Sequence, residues 1–408
     1  MDFNDSPEEA AWRGECRAWL DQHAPEVAGP RAAGALEPAG PEYLSRAQRW
    51  QAMKFDAGFA RVTWEPEFGG RNGTTMQQVI FGQEEARYAV PTEVFVIGLG
   101  MIAPTIRAVG TDAQKERYLT KLLRGEEIWS QLFSEPGAGS DVASLSSTAV
   151  RDGDEWVVNG QKVWTSGAQY SDFGEIICRT AADAEKHKGI TAFLVDMRSP
   201  GIAIKPLRQM NGGAAFNEVF FDDVRVPHEN VLGAPNEGWT VAITTLMNER
   251  VAIGSGGGGG ARFNVHDVIA LARRRGAASD PAVRQRLAGL YTRSRIQKFL
   301  SMRTMTAASQ GKVPGPEGSI GKLFGARVMT DLGELALAIT GAAGVAGDLH
   351  ADGEDYGWHQ PLLAAPAAHI AGGSDEVMKN IIGARVLGLP GDPRVDKGIP
   401  WKDVPRSA

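Results

Sequence analysis

The sequence has little cysteine, no long apolar run and no surplus of basic charge. Its two cysteines, Cys16 and Cys178, build neither a disulfide framework nor a four-cysteine zinc site, which points to a reducing compartment. The longest apolar run, Val94 to Ala103, is too short to span a bilayer and stops at Pro104. The opening stretch from Met1 to Trp12 is acidic and has no apolar core segment, so no export or import is signalled and a cytoplasmic location is expected. Lys and Arg number 43 against 49 Asp and Glu, a net charge of −6. That argues against a nucleic-acid or anionic-membrane partner. The 7 histidines show no metal-ligand spacing, so no metal is expected. A Gly-x-Ser-x-Gly elbow and a P-loop are both absent, which leaves hydrolase and NTPase readings without support. What is present is a chain of 408 residues, 43% apolar and 23% charged, long enough for several domains around a large core.

Three zones follow one another. Residues 1–127 read as a helical domain. Ser6 is placed to N-cap a helix, Pro7 stands at its first position and Glu9 completes a capping box. Trp12, Cys16, Trp19 and Leu20 then form one apolar stripe. Further helices are expected over Tyr43–Ala57, Thr75–Tyr88 and Ala113–Leu123. Residues 128–235 change period to short β-branched and aromatic runs. Asp152-Gly153 and Asn159-Gly160 are both expected to make hairpin turns, giving a compact antiparallel sheet or barrel. Residues 236–390 return to helical patterns over Gly238–Arg275, Pro281–Gln310, Ser319–Thr340 and Asp375–Leu387, which suggests a four-helix bundle. Residues 391–408 read as an extended arm. The fold class is α+β: N-terminal helical domain, middle antiparallel β-barrel domain, C-terminal four-helix bundle.

Two motifs carry the chemistry. Ser134-Glu135-Pro136-Gly137-Ala138-Gly139-Ser140-Asp141 precedes the strands, and Lys162-Val163-Trp164-Thr165-Ser166-Gly167 follows within them. The glycines let backbone approach a planar ring, the serine hydroxyls suit polar edges of such a ring, and Trp164 offers an aromatic wall. The pair resembles the flavin-binding segments of the acyl-CoA dehydrogenase family. The resemblance extends through Phe216-Asn217-Glu218-Val219, Val224-Arg225-Val226-Pro227 and Asn380-Ile381-Ile382-Gly383-Ala384-Arg385. It implies that Gln131, Phe133, Ser134, Gly139, Ser140, Trp164, Thr165 and Ser166 line FAD, with Ser140 also touching the CoA substrate. Ser374 and Glu376 are assigned to the cofactor on the same ground.

The implied reaction is α,β-dehydrogenation of an acyl-CoA thioester. A weakly acidic α-carbon needs a desolvated carboxylate as base, and the thioester oxygen needs hydrogen-bond donors. Many family members carry that carboxylate just before a Gly-Thr pair near the C-terminus. Here Ile370-Ala371-Gly372-Gly373-Ser374-Asp375-Glu376 places Gly372 there. The branch typified by isovaleryl-CoA dehydrogenase carries its base on a bundle helix, followed by Arg, and Met247-Asn248-Glu249-Arg250 matches. The resemblance therefore implies Glu249 as base, Arg250 beside the substrate and the Gly372 amide as a thioester donor. Asp375 and Glu376 are the rival carboxylates, and His369 reads as structural.

Two departures from the family pattern bear on substrate and assembly. Gly254-Ser255-Gly256 through Gly260 follows a helix instead of a strand, which argues against a dinucleotide fingerprint. It reads either as a packing kink or as a widened pocket for a bulky, branched or ring-bearing acyl chain. The family's Arg-x-Phe-Gly motif is replaced by Arg273-Arg274-Arg275-Gly276, and Ala338 stands at a usual Gln, with Arg274 and Gln285 as the best-placed substitutes. The altered half-site leaves open a homo-dimer or homo-tetramer and a heteromer with a related subunit. An electron-transfer flavoprotein or similar acceptor is the implied redox partner. A flavin oxidase or monooxygenase, and a non-catalytic partner subunit, are the alternative readings.

Overall fold

The first helix begins where its capping chemistry dictates. Ser6 Oγ accepts from the Glu9 N–H at 3.2 Å and Glu9 Oε2 accepts from the Ser6 N–H at 2.8 Å, satisfying two donors that a helix start leaves open. Helix α1 (Pro7–His23) buries Trp12, Cys16 and Leu20 against Trp50, Phe59, Ile80 and Phe81. The computed structural model describes residues 5–28, 40–254, 263–309, 315–345, 357–393 and 396–405. Its N-terminal part continues with α2 (Pro41–Asp56), α3 (Thr75–Glu85), α4 (Ala103–Val109) and α5 (Asp112–Arg124). Thr74 and Thr111 cap α3 and α5 through boxes of the same kind. The apolar run ends at Pro104 but the helix does not: a π-turn, Gly98–Ile102, leads directly into α4, and Pro104 lies in the first turn of α4.

From Trp129 the backbone becomes extended. The strands are β1 (Trp129–Leu132), β2 (Thr148–Asp152), β3 (Glu155–Ser166), β4 (Phe173–Arg179), β5 (Ile190–Asp196), β6 (Ile202–Leu207), β7 (Phe216–Pro227) and β8 (Val231–Leu232). They form one sheet in the order β6-β7-β3-β2-β4-β5-β8, with β1 added to β4. Pairing is mostly antiparallel, and β1 and β2 each meet β4 in parallel. Leu132, Trp156, Val158, Ile176, Cys178, Phe193 and Val219 share one core. Trp129, Ile177, Ala192 and Leu194 instead join Tyr118, Leu122 and Val241 in a second core between sheet and helices.

One turn expectation is corrected. Asp152-Gly153 does join β2 to β3, but Asn159-Gly160 lies inside the single long strand β3, where the register on β7 shifts between Val158 and Gly160. Asn159 and Asp223 exchange hydrogen bonds across the bulge, each 2.9 Å long. Gly160 adopts φ +147, and a Cβ there would lie 2.3 Å from Ser147 Oγ. The same conformational freedom that makes a hairpin here bends a strand.

The C-terminal part contains α6 (Gly238–Gly254), α7 (Val265–Arg274), α8 (Pro281–Ser309), α9 (Gly318–Thr340), α10 (Ala342–Val345), α11 (His359–Ile370) and α12 (Asp375–Ile381). The helix expected over Gly238–Arg275 is therefore two, because Asn264 starts α7 afresh with a capping box to Asp267. The glycine run 256–260 lies outside the described residues. Helix α12 passes into a π-turn at Ile382–Val386. Helix α9 packs against α6, α8, α11 and α12. The arm is not wholly extended. Lys186 pairs with Asp396 at 2.8 Å, the Trp401 N–H donates to Ala184 O at 2.8 Å, and the Arg179 guanidinium stacks 4.8 Å from the Trp401 ring. Among the described residues, no helix is long and apolar enough to cross a membrane, and no cluster of three potential metal ligands occurs.

Candidate functional site

The two sequence motifs meet where β3 leaves β7. Its register breaks between Lys162 and Thr165, freeing the Val163 N–H to donate to Ser134 O at 2.8 Å. Trp164, at the break, takes φ +60 and is 60% exposed, edge-on to Phe216. A left-handed backbone is strained for a bulky residue, and here it turns an indole outward beside the Ser134–Ser140 loop. That loop turns tightly, with reciprocal 3.0 Å bonds between Glu135 and Ala138 backbones.

Beneath the loop lies a buried ion pair. Lys162 Nζ sits 2.8 Å from Glu135 Oε1 and donates to Phe133 O at 3.2 Å. Glu135 also accepts from the Ser146 N–H, Ser146 Oγ and the Ser147 N–H at 2.7, 2.9 and 3.0 Å. Burial raises the Glu135 carboxyl, but the Lys162 charge and these hydrogen bonds outweigh it and leave it lowered to about 2. Neither role was visible in the motif itself, although both residues stand in it.

The residues present fit a flavin. Gln131 Nε2 and Thr165 Oγ1 are buried without a partner among the described residues, an arrangement proteins avoid unless a ligand completes it. A Cβ on Gly137 or Gly139 would meet nothing within 4 Å, so no contact inside the chain demands glycine at either place. The open space suits close approach of a planar ring. Phe133 is buried, Ser134 and Ser166 are half-buried, and Ser140 is exposed at the loop tip.

The other predicted residues are on the helices. Glu249 is half-buried on α6; the Arg250 side chain lies outside the described residues. Gly372 and Gly373 adopt φ +65 and +94 between α11 and α12. Ser374 caps α12, accepting from the Val377 N–H. Asp375 is committed elsewhere: it lies 2.7 Å from His369 Nδ1 and 3.7 Å from Lys322 Nζ, while His369 Nε2 meets Thr330 Oγ1 at 2.9 Å. His369 thus braces the glycine loop, and Glu376 is exposed in the first turn of α12. Arg274 and Gln285 are exposed at the end of α7 and the start of α8, helices whose main neighbours are each other and α9. Among the described elements, neither α7 nor α8 packs appreciably on the strands of the sheet.

A further group escaped the sequence reading. Glu175, on β4, is fully buried, with its two carboxyl oxygens 2.8 and 3.1 Å from Thr245 Oγ1 on α6. Burial, opposed only by that hydrogen bond, pushes its carboxyl up to about 8. The signal was a lone acid inside the otherwise apolar stretch Phe173-Gly174-Glu175-Ile176-Ile177-Cys178. Because the folded value exceeds the unfolded one, the folded chain binds the extra proton above the ordinary carboxylate range, and stability falls as pH rises toward 8. Glu175→Gln removes this titration. Its stability advantage over wild type should grow by on the order of 3 kcal/mol from pH 5 to pH 8, measured by unfolding at both; a constant gap would show that the carboxyl is ionised throughout.

Family profiles match the chain in three consecutive pieces: acyl-CoA dehydrogenase N-terminal domain at residues 6–126, middle domain at 130–224 and C-terminal domain at 236–387. The acyl-CoA dehydrogenase IpdE1 of Mycobacterium tuberculosis is 39% identical over 93% of this chain and 97% of its own length. A steroid ACAD structure, Tcur3481-Tcur3483, superposes with TM-score 0.82 at 29% identity, covering 96% of this chain and 100% of that one. The ChsE4-ChsE5 complex from Mycobacterium tuberculosis gives TM-score 0.75 at 28% identity over 96% of this chain and 100% of that chain.

Proposed function

The chain belongs to the acyl-CoA dehydrogenase family of FAD-dependent oxidoreductases, and from that premise we propose that it desaturates a ring-bearing acyl-CoA with Glu249 as base. The observation that carries the base is the fate of the rival carboxylates. Position 372 is glycine, Asp375 is held by His369 and Lys322, Glu376 is exposed, and Glu175 is sealed between β4 and α6. Glu249 remains, half-buried on a helix that packs against the sheet and α9.

Each residue then has a task. Glu249 takes the α-proton onto a carboxylate oxygen. The Gly372 N–H donates to the thioester oxygen and steadies charge that develops there. Arg250 lies alongside the substrate, and Ser140 meets the CoA portion. Bound FAD supplies the acceptor for the β-hydrogen and its electron pair. Gln131, Phe133, Ser134, Gly139, Ser140, Trp164, Thr165, Ser166, Ser374 and Glu376 hold that cofactor, Gln131 and Thr165 through hydrogen bonds that no group of the described residues satisfies.

The preference for a ring-bearing chain draws on the steroid ACAD likeness. The outlying Arg274 and Gln285 are assigned to the FAD of an adjoining subunit, either a second copy of this chain or a related one; the likeness to the ChsE4-ChsE5 complex supports the latter. Domain limits of 1–127, 128–235 and 236–390, an arm over 391–408, a cytoplasmic location and reoxidation by an electron-transfer flavoprotein complete the proposal. The test is an anaerobic titration of FAD-reconstituted protein, alone and co-expressed with a related acyl-CoA dehydrogenase chain. Loss of oxidised-flavin absorbance with cyclic acyl-CoA, and little with straight-chain acyl-CoA, is the expected result. Equal bleaching by both overturns the ring preference, and bleaching by neither overturns the dehydrogenation.

A further inference from the structure

A buried carboxyl with no cation beside it requires an explanation. Thr245 Oγ1, which approaches both oxygens of Glu175, also lies 3.0 Å from Thr105 Oγ1, and the Thr105 O–H donates to Met101 O at 2.8 Å. Asn248 Nδ2 reaches Thr105 Oγ1 at 3.5 Å. The Thr245 O–H donates to the Glu175 carboxyl and has the Val241 carbonyl at 3.2 Å as a second acceptor, while Thr105 Oγ1 lies beside it and accepts from Asn248, so the two threonines tie Glu175 to α6 and α4.

Two features attach the chain of groups to the reaction. Thr245 and Glu249 are four residues apart on α6, one turn apart on one face. Glu175 stands directly opposite Gln131 in the parallel β1–β4 ladder, so both side chains leave the sheet on the same side. We infer that Glu175 is a positioning residue which, through Thr245 and Thr105, seats the Glu249 face of α6 on the strand pair that lines the flavin. The inference rests on Glu249 being the base. The described charged groups on the surrounding elements are Glu249 on α6, Arg107 on α4 (paired with Glu65), and Arg179 and Asp196 on β4 and β5. None lies close enough to shift the Glu175 carboxyl.

The test uses the FAD-loaded protein with Glu175→Leu, Glu175→Gln, Thr245→Val and the Leu/Val double substitution. Glu175→Leu and Thr245→Val should each lower kcat by about tenfold to a hundredfold, the loss expected when a reacting group is slightly misplaced. KM should stay within about twofold. The double variant should be no worse than either single one, because both break the same tie, and Glu175→Gln, whose amide oxygen can still accept from Thr245, should restore most of kcat. Infrared spectra of the wild type at pH 7 should show the carbonyl band of a protonated carboxylic acid that Glu175→Gln lacks. Unchanged kcat in Glu175→Leu, additive losses in the double variant, or absence of the band overturns the inference. The band is read without turnover, so its loss counts against the tie alone, whereas activity that survives Glu249→Gln counts against the base.

Discussion

Replacing Glu249 with Gln is expected to lower turnover on the order of 10²–10⁴-fold, the span that removal of a positioned general base produces, or about 3–5 kcal/mol of barrier. Bound FAD and acyl-CoA affinity should hardly change, because Gln fills the same volume on α6. A carboxylate is needed because the α-carbon is a poor acid, and a half-buried group on the bundle helix has lost part of the water that would hold its charge. The controls are Asp375→Asn and Glu376→Gln. The first loosens the His369–Asp375 contact and disturbs the glycine loop, while the second alters an exposed carboxylate. Neither should approach the loss at Glu249, and a Glu249→Gln enzyme with undiminished turnover would end the assignment. Returning a carboxylate by Gly372→Glu on that background should rescue weakly. Position 372 sits at φ +65, which strains any residue with a Cβ by roughly 1–2 kcal/mol and misdirects the new side chain.

What sequence made legible was local. The Ser6–Glu9 box and the Trp12, Cys16, Trp19, Leu20 stripe are written within one helix, and the structure repeats the box and buries the stripe, with Trp19 only partly covered. The helix over 359–370 was not legible. His359-Gln360-Pro361-Leu362-Leu363-Ala364-Ala365-Pro366 is nearly apolar all round, so it offers no period, and Pro366 stands inside it. Helix packing against α9 supplies what propensity withholds. Asn159-Gly160 carries the turn chemistry that was expected, but whether such a pair ends a strand or bulges it depends on β7, more than fifty residues away.

The site divides the same way. Ser134–Ser140 and Trp164–Ser166 announced themselves as strings, since a backbone cradle is a local object. Lys162, Glu135, Glu175, Thr245 and Thr105 did not, because a buried charge has meaning only through partners that are distant in sequence. Glu175 meets a threonine 70 residues on, and that threonine meets another 140 residues back. For Arg274 and Gln285 the difficulty is greater still: the role the resemblance implies for them is at the FAD pyrophosphate of a neighbouring subunit, which a single chain does not display.

The second large effect should come from Lys162→Met. Lys162 is wholly buried and Glu135 nearly so, with side-chain exposures of 0% and 4%. Two charges taken out of water gain little over apolar residues of similar size, but removing one partner strands the other, at a cost of about 3–5 kcal/mol. Here the stranded group would be a carboxylate with Ser146 and Ser147 as its remaining donors. Because Lys162 also donates to Phe133 O, the same change frees the backbone entering the Ser134–Ser140 loop. Lys162→Met should therefore lower the thermal midpoint and release FAD together. Adding Glu135→Leu should recover much of the midpoint, since no charge is then buried, but not the FAD, since the loop has lost its Ser146 and Ser147 anchors. This split separates loop architecture from stability in general. Acid should act on the same pair: with the Glu135 carboxyl lowered to about 2, its stabilisation is complete above the ordinary carboxylate range and fades as pH falls toward that value. A Lys162→Met protein that keeps both its midpoint and its flavin would show that the buried pair is dispensable to the loop.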